Sequence, residues 1–316
     1  MIGRRLRRLS DDCARVLTLA SVLGREFGLD ALERISELPA DGLLEVLDEA
    51  VAARVLTAVP GTHLCLRFAH ALIRETLYDG LTTPRRVQLH RRAGEALEAL
   101  YVQDPERHLA ELAHHFFEAA PGGDVDKALA YAQRAGDRAV TLIAYEEAAR
   151  LYELALQGLE LKQPVDPAAH CELLLALGDA LAKAGSTPEA KEAFAAAADL
   201  ARTSRLPEHL ARAALGYGGR FPWLRAGNDS RLVPLLEEAL AAPGEEESAL
   251  RVKLLARLAG ALRDQPSLEP RSAFSRQAVE IARRLGDPDT LGYALVGLSG
   301  APGDPSPTSW RRSPRR

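Results

Sequence analysis

Two stretches of this chain carry the same kinds of residue at the same steps, and that register limits the fold more than any other feature. Gly136 is followed by Ala148, Tyr152 and Ala155 after 12, 16 and 19 residues, and Gly178 by Ala190, Phe194 and Ala197 at the same steps. Both sets lie in apolar runs of helical period, so each describes a helical hairpin. The small residues let two helix axes approach closely, and the aromatic fills the space left between them.

Two weaker copies follow. Gly216 is joined by Leu232, Leu236 and Ala239 after an inserted "GGRFPWLRAGNDS", and Ala259 by Arg271, Ser275 and Ala278. The starting residues 136, 178, 216 and 259 are 42, 38 and 43 apart. The spacing within each copy is that of a tetratricopeptide repeat, whose tight form repeats every ~34 residues, so the hairpins stack with long connections. Composition agrees: 47% of residues are hydrophobic but only 5% aromatic, and the runs are rich in Ala, Leu, Glu and Arg, which favours packed helices.

Before the repeats the period changes. Ser10 with Asp11 and Asp12 starts a helix that runs to about Leu23. Gly24 and Gly28 bracket a turn, Asp30 to Glu37 is a short second helix, and Asp41 caps a third that ends near Arg54. "VLTAV" and "HLCLRF" then alternate at period two around "PGT", a hairpin with Leu64, Leu66 and Phe68 on one face. Three helices and a hairpin are winged-helix order. His70 follows, opening an amphipathic helix on which Leu72, Ile73, Leu77 and Tyr78 recur.

The expected fold class is therefore mainly all-α. A winged-helix domain with a small β-hairpin occupies 1–83, a connecting helical hairpin 84–123, a tetratricopeptide-like α-superhelix 124–298, and a disordered tail 299–316, which is proline-rich and aperiodic. "LGDPDTLGYALVGL" resembles the first helix of a fifth hairpin without its partner, as truncation or a shifted frame would leave it.

No apolar run reaches the ~18 residues of a membrane span, and "MIGRRLRRLSDD" has no signal-peptide segment, which predicts a cytoplasmic protein. Cys13, Cys65 and Cys171 are far apart and read as small core residues in a reducing compartment. The formal charge of −4 opposes general nucleic-acid affinity, and the basic ends, with Arg4, Arg5, Arg7 and Arg8 at one and "RRSPRR" at the other, read as solvated.

Catalytic signatures are absent from the sequence: there is no "GK" dipeptide for a phosphate loop, no GxSxG and no HExxH. "LLEVLDE" at Leu43 to Glu49 is helix, with Leu44 and Leu47 as its core. His108, His114 and His115 read as a polar helix face rather than a metal site, and "NDS" at Asn228 is a sequon without consequence in a cytosolic chain. The third helix carries Asp41, Glu45, Asp48 and Glu49 and no basic residue before Arg54, so DNA phosphates would be repelled from it.

"LSDDCARVLTLASVLGREF", "RFAHALIRETLYDGLTTPRRVQLHRRAGEALE" and the repeats together resemble the region downstream of the ATPase in bacterial STAND-class signalling ATPases. These include the large ATP-binding LuxR-type transcriptional regulators and the cyclase-linked ATPases. The resemblance covers Leu9 to about Leu298, and it implies a winged helix and a repeat superhelix without their P-loop domain. "AHALIRE" also resembles the "MHDLIRD" segment of related immune-receptor ATPases, whose histidine reaches the β-phosphate of bound ADP. That match gives His70 a nucleotide-sensing role, with a buried hydrogen-bonded histidine as the alternative. Ala71 replaces the motif's aspartate, and Arg67 and Arg74 flank His70, either assisting it or paired with Glu75 or other acids.

What the resemblance implies is a regulatory fragment, not an enzyme. It would hold no cofactor of its own, ATP or ADP belonging to the parent, and its partners would be a P-loop ATPase domain and a protein or small-molecule inducer in the repeat groove. Arg138, Asp179 and Lys183, on the first helices of the repeats, are the expected contact residues. The alternatives are a free-standing tetratricopeptide adaptor for a protein or peptide, or part of a cyclase- or kinase-linked ATPase.

Overall fold

The computed structural model describes residue 6 and residues 9–298, apart from 62–63, 124, 163, 220, 243, 245–246 and 265–268. The basic residues expected at both ends and the tail expected over 299–316 lie outside the described residues. Fifteen α-helices and one three-stranded sheet make up the described part, which is mainly all-α as the composition requires. The chain divides into two compact units, Met1–Val165 and Asp166–Arg316.

The first unit begins with α1 (Asp11–Leu23), β1 (Glu26–Gly28), α2 (Leu29–Ile35), α3 (Ala40–Ala52), β2 (Leu56–Ala58), β3 (Cys65–Phe68) and α4 (Ala71–Asp79). The side chain of Ser10 caps α1 by accepting from the Cys13 amide at 3.2 Å. Asp41 does not cap α3. The helix starts two residues earlier than such a cap would place it, with Pro39 at the cap position, and Asp41 sits in the first turn, where its charge suits the dipole.

The sheet has the order β1-β3-β2 with both pairings antiparallel. β1 corrects the turn expected between Gly24 and Gly28. Three residues are too few to display a period of two, yet Phe27 is buried and its ring meets that of Phe68 at 5.8 Å. Leu64 and Leu44 are exposed rather than core, while Leu47 and Phe68 are buried. Cys13 and Cys171 are core residues, and Cys65 is only half-buried.

The rest of this unit is helical: α5 (Thr83–Leu100), α6 (Leu109–Ala119), α7 (Val125–Thr141) and α8 (Tyr145–Glu160). Gly136 of α7 receives the Tyr152 ring of α8 so closely that a Cβ there would lie 2.6 Å from it. The Tyr152 hydroxyl donates to Asp137 at 2.7 Å. The same device appears one pair earlier, where a Cβ on Gly94 of α5 would stand 3.2 Å from the Phe116 ring of α6. Its residues are 22 apart instead of 16, which hid it from the spacing.

The second unit comprises α9 (Pro167–Ala184), α10 (Thr187–Thr203), α11 (Pro207–Gly218), α12 (Leu232–Ala241), α13 (Ala249–Ala261), α14 (Glu269–Leu285) and α15 (Pro288–Leu298). Phe194 of α10 lies against two glycines at once. A Cβ would come within 2.7 Å of its ring from Gly178 on α9 and within 2.3 Å from Gly216 on α11. The weaker copies are also seated as their spacing requires, with Leu232, Leu236, Ala239, Arg271, Ser275 and Ala278 all buried. α15 packs on α13 and α14 through Ala294 and Gly297, leaving Leu295 and Val296 exposed.

Candidate functional site: the β3–α4 junction and a histidine network

His70 stands where β3 hands over to α4. The segment is fixed by backbone bonds: the Phe68 amide donates to the Arg25 carbonyl at 3.0 Å, and the Ala69 amide to the Val55 carbonyl at 2.9 Å. His70 itself is extended, with φ −139° and ψ 137°, and its side chain does not cap the helix. In this structure His70 is exposed rather than buried.

The flanking arginines are engaged. Arg67 lies 3.8 Å from Glu26. Arg74 donates from Nε to the Ser21 carbonyl at 2.9 Å and rests over the Tyr78 ring at 5.1 Å, rather than pairing with Glu75. Of the apolar residues on α4 only Ile73 is fully buried. Leu77 and Tyr78 are half-buried, and Leu72 is 61% exposed. His70 and Leu72 thus both face solvent at the start of one helix, an imidazole beside an apolar side chain.

Below that face lies a polar network. The Tyr78 hydroxyl is 2.9 Å from Nε2 of His90 on α5, and Nδ1 of His90 is 3.1 Å from Nδ1 of His115 on α6. His114 stands edge-on to both rings at 5.4 Å, and the Arg86 guanidinium also lies over the Tyr78 ring, at 4.6 Å. One Nδ1 of the two histidines must carry a proton and the other must not. If Tyr78 donates, His90 donates onward and His115 keeps its proton on Nε2, a buried atom without a hydrogen-bond partner among the described residues. If His90 donates to Tyr78, His115 donates to His90 and its Nε2 is a bare acceptor. Burial pushes both imidazoles down to about 3, with neighbouring histidine and arginine charges acting in the same direction, so both rings are neutral near pH 7.

His115 is accordingly core, not part of a polar helix face. His108 is apart from it, stacked on Tyr101 at 3.4 Å and 3.5 Å from Glu111. Among the described residues no group of three His, Cys, Asp or Glu side chains could hold a metal ion. The network left one legible trace: His90 falls on the stripe formed by Leu89, Ala93, Gly94 and Leu97 that α5 buries. A histidine within an apolar stripe needs a buried partner, and the partner is 25 residues away on another helix.

The repeat residues are placed separately. Arg138 belongs to the first unit and reaches Glu106 at 4.0 Å, a carboxylate that Arg134 holds at 2.7 Å. Asp179 and Lys183 lie one turn apart on α9 in the second unit, both exposed. The face of α3 presents Asp41, Glu45 and Asp48 to solvent, while Glu49 accepts two bonds from Ser10 at 2.7 and 2.6 Å that hold its carboxyl below the usual range. No helix among the described residues is long and apolar enough to cross a membrane.

No family model matches the chain, and no curated protein matches it in sequence. Among solved structures it is similar to a signal transduction ATPase with numerous domains, a STAND protein with a tetratricopeptide repeat sensor, from Pyrococcus horikoshii. The identity is 12%, the match covers 93% of this chain and 47% of that one, and the TM-score is 0.41. It is also similar to the apo form of RapI, at 14% identity over 78% of this chain and 96% of that one, with a TM-score of 0.34. The chain spans about half the length of the Pyrococcus horikoshii protein.

Proposed function

We propose that this chain is the regulatory, signal-receiving part of a STAND-type ATP-dependent regulator, in which residues 1–83 form a winged helix that restrains a P-loop domain and the repeats receive an inducer or protein. The order α1, β1, α2, α3, β2, β3, with β3 between the other two strands, supports a winged helix. The acidic face of α3 argues that this winged helix does not read DNA, since phosphates would meet carboxylates there. A transcriptional regulator is the parent that the sequence resemblance favours.

One observation carries the proposal: the exposed His70 ring at the first turn of α4, on a junction held at both sides by backbone bonds. An imidazole so placed can donate to a phosphate oxygen beside a helix start, where free amides and the dipole also favour an anion. The phosphate itself would be held by the P-loop domain, whose lysine loop this sequence lacks. Equilibrium dialysis of the chain with labelled ATP and ADP is the test. We expect no saturable binding, and micromolar retention of either nucleotide would overturn the assignment of the nucleotide site to another domain. An in-frame GxxxxGK[ST] in the flanking coding DNA would support the parent, whereas flanking stop codons and a native promoter would favour a free-standing adaptor.

A further inference from the structure

The insertion that stretches the third repeat is not slack. The Pro222 carbonyl approaches Gly260 of α13 so closely that a Cβ there would lie 1.8 Å from the oxygen, and the Ala226 amide donates to the Ala261 carbonyl at 3.2 Å. Arg257, 1% exposed, donates to the Gly218 carbonyl from Nε at 2.9 Å and Nη2 at 2.5 Å, and to the Leu224 carbonyl from Nη1 at 2.6 Å. So fixed, the loop holds Phe221 and Trp223 stacked at 4.6 Å yet 49% and 41% exposed. A cavity of about 360 Å³ lies beneath, its wall including Lys191, Tyr217, Phe221, Leu224, Leu232 and Arg257.

The charges on this wall do not balance. Lys191 is matched by Asp229 at 2.6 Å, and Arg225, also on the wall, by Asp264 at 2.8 Å. Arg257 makes no ion pair among the described residues: its hydrogen bonds go to the Gly218 and Leu224 carbonyls and use three of its five N–H groups. A guanidinium cannot shed its proton, and a buried charge without a counterion is costly unless an anion supplies one.

From this imbalance beside an aromatic-walled cavity, we infer that the third repeat is a binding site for a small organic carboxylate, its apolar body against Phe221, Leu224 and Leu232 and its charge directed to the Arg257 side. The volume suits such a guest, since ligand cavities begin near ~300 Å³. This inference rests on the reading of the repeats as the signal-receiving part and names the chemical class of the signal.

The test uses the full chain with Trp310→Phe, which leaves Trp223 as the single indole of the two. Phenylacetate and hexanoate are titrated against phenylacetamide and hexanamide, followed by Trp223 fluorescence and calorimetry. We expect saturable binding of the carboxylates about tenfold tighter than of their amides, and loss of that preference in Arg257→Gln. Should Arg257→Gln fail to fold by circular dichroism, Phe221→Ser serves instead, weakening acid and amide alike. Equal affinity for acid and amide, no binding by the folded protein, or unchanged affinity in Phe221→Ser would overturn the inference. These titrations need no ATPase domain. A carboxylate that binds here but leaves nucleotide release by the joined protein unchanged would sink the regulatory reading and leave the pocket standing.

Discussion

Two layers of this molecule solve the same packing problem by different chemistry. In the second unit, the Phe194 ring fills the space between α9 and α11 by occupying the hollows over Gly178 and Gly216. In the first unit, the space between α4, α5 and α6 is filled in part by Tyr78, His90 and His115, joined by hydrogen bonds at 2.9 and 3.1 Å. The first layer asks only for shape. The second asks for shape and for every lone pair and proton to find a partner, so it is sensitive to pH and to single substitutions that shape alone would tolerate.

The largest effect belongs to the apolar layer. Phe194→Ala should destabilise the second unit by about 3–5 kcal/mol, and Gly216→Ala, which drives a methyl into the ring, by about 1–3 kcal/mol, both read from denaturant unfolding. A cost below ~1 kcal/mol for Phe194→Ala would mean that the layer is loosely packed.

Next comes the polar layer. His115→Leu leaves Nδ1 of His90 buried without its partner and should cost about 1–3 kcal/mol, whereas the double variant His90→Leu/His115→Leu should cost less than the two singles added, because no orphan remains. The pH dependence follows from the depressed histidines. With folded values near 3 against an ordinary value of 6.5, the unfolded chain takes up protons first as pH falls. Their contribution is complete above pH 6.5 and is lost progressively toward pH 3, with Arg74, Arg86 and His114 opposing any added charge. Melting temperature should therefore fall more shallowly over that range in the double variant than in the wild type. Parallel curves would show that the network does not govern acid sensitivity.

The smallest effect is expected where charge is solvated. Arg202 bonds to Glu238 at 2.6 and 2.8 Å and to Asp199 at 2.5 Å, but its side chain is nearly half exposed. Screening limits the pair, so Arg202→Gln should cost under ~1 kcal/mol and the difference should shrink in high salt.

The same contrast explains what the amino-acid sequence disclosed. Phe194 and Tyr152 were legible because a glycine–aromatic contact within one hairpin recurs at a fixed step of 16. Gly94 with Phe116 uses the same contact across a longer connection and escaped. The histidine pair was not legible, because a hydrogen bond between residues 25 apart leaves no periodic mark, and His115 beside His114 looks like part of a polar face. β1 is three residues long and leaves no periodic signal, and Asp41 suits both the cap and the first turn of α3, so the sequence does not separate the two positions. At the β3–α4 junction the position of His70 was readable from the sequence, but its exposure was not. Exposure depends on what packs around a side chain in three dimensions, and spacing along the chain does not record that; nor does it record that Arg74 bonds to Ser21 and rests over Tyr78.

That exposure gives the account its most direct test. In this chain joined to the P-loop domain that the proposal assigns to its parent, the dissociation constant for ADP should be measured with His70 and with His70→Ala. Loss of one hydrogen bond to phosphate should weaken ADP by about tenfold while leaving the unfolding midpoint unchanged, as expected for an exposed side chain. An ADP affinity that does not respond to His70→Ala would contradict the account, for the junction would then contribute no contact to the nucleotide.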